Sequence, residues 1–207
     1  MFSNNPFIGL SNTIPSEVIQ ICIVLMIVSV IAGTLFDVIH KKSAKYFFEN
    51  WRKSNTNATK EVSGGEVAQL AIETLVVDVA TSSELGLCGT DRRIAHLLTM
   101  YGFIAHVSAT VAMAIVGSES TVWPILWHIG ALSVCVGGYW FWFFIRVDVS
   151  AEGNSPFRLI RADLFVLSLV GTTTFALLWS LTQGSVSGWV FFALYVFSAV
   201  ALFGGVP

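Results

Sequence analysis

Four histidines, His40, His96, His106 and His128, are the residues of this chain whose chemistry is most at odds with their surroundings. Two of them break "RRIAHLLTMYGFIAHVSATVAMAIVG", which is otherwise apolar after its paired arginines. A polar group facing lipid without a partner is costly. Two explanations follow. Each imidazole makes one interhelical hydrogen bond or lies at an interface, or imidazoles from neighbouring helices ligate haem iron. At 1.5 Å per residue, His106 is about 15 Å from the end of its apolar run and His128 about 9 Å past the start of the next, so the two can share a level. His96 and His128 differ by about 17 Å in depth and cannot hold one iron. His40 and His96 form a second possible pair, with Asp37 one turn before His40 placed to accept its other N–H. His96 and His106 stand about 15 Å apart along one helix, a separation that suits two stacked haems. Gly102, Gly137 and Gly138 would let a flat ring approach the backbone.

The elements that must position these residues are membrane spans. The 207 residues are 55% hydrophobic and 12% charged, against about 25% charged in a soluble domain. The mean hydropathy is +0.74. Five predominantly apolar runs are long enough to cross a bilayer, at about residues 18–39, 94–116, 122–145, 164–182 and 186–203. The expected fold is a single all-α transmembrane domain over residues 1–207. Its loop 40–93 holds a solvated linker, "NWRKSNTNATKEVSGG", and then an amphipathic helix, "EVAQLAIETLVVDVATSSELGL". Glu66, Glu73 and Asp78 make that helix too acidic to face lipid.

All 11 Lys and Arg fall on one side of this map, in loop 40–93 or around the loop after the third span. "GSEST" and "QGS" carry none. The positive side is cytoplasmic, so the N-terminus is expected outside and the C-terminus inside. Trp123 and Trp127 near one boundary, and Trp140 and Trp142 near the other, fit interfacial aromatic belts. No cleavable signal peptide is read at the start. No basic arm points to nucleic acid. Cys22, Cys88 and Cys135 show no C-x-x-C spacing, so no zinc site or iron–sulfur cluster is expected. Pro124 alone is placed to interrupt a span, and no repeat is visible, which disfavours a transporter.

"RRIAHLLTMYGFIAH", with five spans and an outside-in orientation, resembles the cytochrome b subunits of the nitrate reductase gamma type. It is similar also to membrane subunits of heterodisulfide reductase and of the quinone-interacting oxidoreductase complex of sulfate reducers. "FDVIHKKSAKYFFENWRKS" resembles more closely the membrane anchor associated with adenylylsulfate reductase. The resemblance implies a subunit of a bacterial inner membrane that carries b-type haem, one or two, and exchanges electrons with quinone. Its partner would be a cytoplasmic flavin/iron–sulfur enzyme. Arg92, Arg93, Arg146, Arg158 and Arg161 could hold haem propionates or quinone oxygens, or only mark topology. Tyr46, Phe47, Phe48 and Trp51 could dock the partner or lie in headgroups. One departure is plain: the nitrate reductase type pairs these histidines with others in its last span, and here the last two spans have none. A haem-free anchor that recruits a soluble enzyme is the alternative.

Overall fold

The computed structural model describes residues 3–10, 13–40, 43–56, 63–87, 89–146, 157–160 and 163–204. Among the described residues the chain is all-helical, and five helices are long and apolar enough to cross a membrane. In chain order the helices are α1 (Ser16–His40), α2 (Ser43–Thr56), α3 (Gly64–Glu73), α4 (Ser83–Leu87), α5 (Thr90–Ala114), α6 (Val122–Trp140), α7 (Asp163–Leu181) and α8 (Val186–Gly204). α3 and α6 each run on as a π-helical turn, Thr74–Ala80 and Phe141–Ile145. The spans are α1, α5, α6 with its π turn, α7 and α8.

Two boundaries differ from expectation for one reason: apolarity marks burial in lipid, not where a helix starts. α5 opens at Thr90 rather than Ile94, with Asp91 in its first turn, where a carboxylate suits the positive end of the helix dipole. Asn50 to Thr56, read as linker, continue α2 as an exposed polar helix. α3 opens with a capping box, in which Ser63 and Glu66 each accept the other's backbone N–H.

α5 and α6 form the tightest pair, and glycines set their spacing. A methyl group on Gly130 would lie 2.7 Å from the Gly102 carbonyl and 2.7 Å from the His106 nitrogen. One on Gly137 would lie 2.7 Å from the Ala95 carbonyl. Gly102 and Gly137 therefore seat helix backbone, as small residues do in membrane bundles, and not a flat cofactor ring as their spacing allowed. Gly138 faces the Val170 side chain of α7. Gly117 (φ +69) and Gly184 (φ +84) take the left-handed backbone that turns α5 into α6 and α7 into α8.

α1 stands apart. Among its described side chains only Ile23 is buried. It is tied to α5 by Gln20, whose Nε2 donates to the Ala114 carbonyl at 3.1 Å. The N-terminal segment 3–10 folds over the same end of the bundle. Phe7 and Leu10 are buried there, and Gln183 donates to the Pro6 carbonyl at 2.9 Å. At the other end Arg146 pairs with Asp163, fastening α6 to α7.

Candidate functional site

His106 sits on the inner face of α5 and is 3% exposed. Its Nδ1 lies 3.1 Å from the Trp127 carbonyl of α6. A carbonyl only accepts, so Nδ1 carries the proton and Nε2 of the neutral ring bears a lone pair. The rest of the cluster closes on itself. Thr110 donates to the His106 carbonyl at 2.8 Å and accepts from Trp127 Nε1 at 3.0 Å. The Tyr195 side chain of α8 packs beside this cluster, its ring 6.5 Å from those of His106 and Trp127. The His106 ring lies 4.8 Å from that of Trp127. Among the described residues, His106 Nε2 is the buried side-chain polar atom left without a hydrogen-bond partner. Leaving such a group unpaired costs about 1–3 kcal/mol.

His106 is one of the residues that line a cavity of about 460 Å³ between the N-terminal segment, α1, α5, α7 and α8. Its wall is aliphatic and aromatic, with Leu10, Ile23, Met26, Phe103, Val107, Leu169 and Phe192 among its residues. Leu25 and Val200, which border it, are exposed, so the cavity opens at its flank onto the surface of the bundle. Phe7 and Leu10 close the end. Phe7 wedges between Trp127 and Trp179, at ring distances of 6.1 Å and 5.6 Å.

His128 touches Trp127 from the far side, at 4.9 Å between rings. The two histidines therefore share a level but are not turned to one point. His128 Nδ1 donates to the Pro124 carbonyl at 2.6 Å and Nε2 accepts from Ser180 at 2.7 Å. Both nitrogens are engaged, one along its own helix and one with α7. His96 is exposed, with Nδ1 3.0 Å from the Ser82 hydroxyl. The side chains of His40 and Asp37 lie outside the described residues, as does Arg161. Arg93 donates to the Thr81 carbonyl at 2.9 Å. Arg146 holds Asp163 and lies 4.1 Å above the Trp142 ring. Arg92 and Arg158 are exposed. None of these cations lines the cavity. Trp127 and Trp142 are buried within the bundle. The indole N–H of Trp127 donates to Thr110 within the bundle.

These donors fit a haem poorly. His106 offers one axial nitrogen, but the second is committed to Ser180, and two propionates would meet no cation along the wall. A neutral, mainly apolar molecule with one hydrogen-bonding head fits both the wall and the lone imidazole. Trp127, Thr110, Tyr195, Ser180 and the Phe7–Leu10 segment were not legible as site residues, since each reads as ordinary apolar or helix-packing sequence. Comparison of the chain with protein-family models, curated proteins and solved structures gives no match.

Proposed function

We propose that the chain is a haem-free membrane subunit of a redox complex, which binds a quinone-type carrier between α1 and the bundle and anchors a water-soluble enzyme. One observation carries this reading: a buried histidine, His106, keeps one ring nitrogen without a partner and is among the residues lining an otherwise apolar cavity that opens sideways. An isoprenoid quinone has the matching parts, a polar ring head and a tail at home in lipid. Its entry from the bilayer needs little rearrangement, because α1 is lightly packed.

The anchoring half of the reading rests on α2. Tyr46, Phe47, Phe48 and Trp51 are all exposed on it, interleaved with Lys45, Arg52 and Lys53. In the positive-inside orientation this helix faces the cytoplasm of a bacterial cell, where a flavin/iron–sulfur enzyme would supply the substrate chemistry. Among the described residues no cluster of His, Cys, Asp and Glu could hold a metal ion.

The test is purification from native membranes, with extraction of bound quinone and a reduced-minus-oxidised optical spectrum. The reading expects near-stoichiometric quinone, its loss in His106→Phe, and co-purifying flavoprotein. A low-spin b-type band, or wild-type protein free of quinone, contradicts it.

A further inference from the structure

We infer that α3 and its π-helical turn lie in the bilayer interface, on the side where α5 begins, with one aliphatic face among the acyl chains. No residue of α3 is buried. Val67, Ile72, Leu75, Val76 and Val79 are all exposed along the helix and its turn, and helical register places them on one side. Glu66 and Glu73, two turns apart, fall on the other. In a continuous α-helix Asp78 would lie about 140° round from Glu73, among the aliphatic residues. Thr74–Ala80 is π-helical instead, and its i→i+5 bonding brings position 78 back to the side of position 73. The three carboxylates expected to keep this element off lipid therefore share one side. Leu70 is the apolar exception there.

Lipid is the occupant of the aliphatic face because of where the element ends. Its last carbonyls, which lack partners within the helix, are taken by α5. The Tyr101 hydroxyl donates to the Ala80 carbonyl at 2.7 Å, and Arg93 Nε donates to that of Thr81 at 2.9 Å. Ser82 follows, buried, with its hydroxyl 3.0 Å from His96 Nδ1. Its backbone takes the left-handed region, φ 50, a costly conformation for a residue with a side chain. Tyr101 stands about 12 Å beyond Arg93 along the axis of a membrane span. The ring leans back toward the helix start, but it does not reach that far, so Ala80 is held on the lipid side of Arg93. A helix lying in the interface plane buries its apolar side about 5–10 Å deep, which suits this level.

The experiment places nitroxide labels on the purified full chain in nanodiscs of phosphatidylcholine and phosphatidylglycerol. Cys22, Cys88 and Cys135 are changed to Ser, and one cysteine is introduced at a time. Collision with oxygen, which concentrates among acyl chains, and with a water-soluble nickel chelate reads the surroundings of each label. Ile72→Cys, Leu75→Cys and Val79→Cys should give oxygen-to-nickel collision ratios several-fold above those of Glu66→Cys and Glu73→Cys. Ratios alike on both sides and dominated by nickel place the element in water and overturn the inference. Labels on the aliphatic side that are shielded from both reagents place a protein, or a second copy of this chain, on that face, and overturn it equally.

Discussion

At the residue scale, His106 and His128 are alike in type and depth and differ in what their nitrogens meet. His128 is satisfied twice, by Pro124 and Ser180, and is a packing residue. His106 is satisfied once, its second nitrogen is buried without a partner, and the residue lines the cavity. Two substitutions separate these roles. His106→Phe keeps a flat ring of similar size, so the protein should insert and melt nearly as before while quinone affinity falls about tenfold or more, measured by titration in nanodiscs. Ser180→Ala strips His128 of its donor at a site away from the cavity. It should lower stability by about 1–3 kcal/mol, seen as a drop of several degrees in thermal melting, with affinity unchanged. Depth along a helix was legible in the sequence, because rise per residue is fixed. Which way each ring turns was not, since that depends on Trp127 and Thr110, which no spacing ties to the histidines.

At the element scale, glycine spacing rather than side-chain bulk governs how α5 and α6 meet. Gly130→Val should force the helices apart at the level of His106, costing about 1–3 kcal/mol and weakening ligand binding in the same denaturation and titration assays. Gly33→Ala on α1, where an added methyl meets nothing within 4 Å, should be neutral or slightly stabilising. The five spans were readable because lipid demands long uncharged runs with internal backbone hydrogen bonding. The helical part of Asn50–Thr56 was not, because polar composition reports solvent and is silent about backbone geometry.

At the scale of the whole molecule, the cavity is a product of assembly. Its walls come from the N-terminal segment, α1, α5, α7 and α8, which are far apart in sequence, so no local motif announces it. Phe7 and Leu10 look like part of a tail and are buried on the cavity's wall. Replacing both with Ala should speed ligand release several-fold, followed by stopped-flow fluorescence, with smaller change in equilibrium affinity. The central claim, that a quinone-type carrier lies between α1 and the bundle against His106, is tested most directly by photolabelling the purified protein with an azidoquinone and mapping the modified peptides. The account predicts label in Val18–Ser29, Phe103–Val111 and Phe192–Phe203, competed away by unlabelled quinone or hydroquinone and lost in His106→Phe. Label confined to α2 and α3, or spread over the lipid-facing surface without competition, would contradict it.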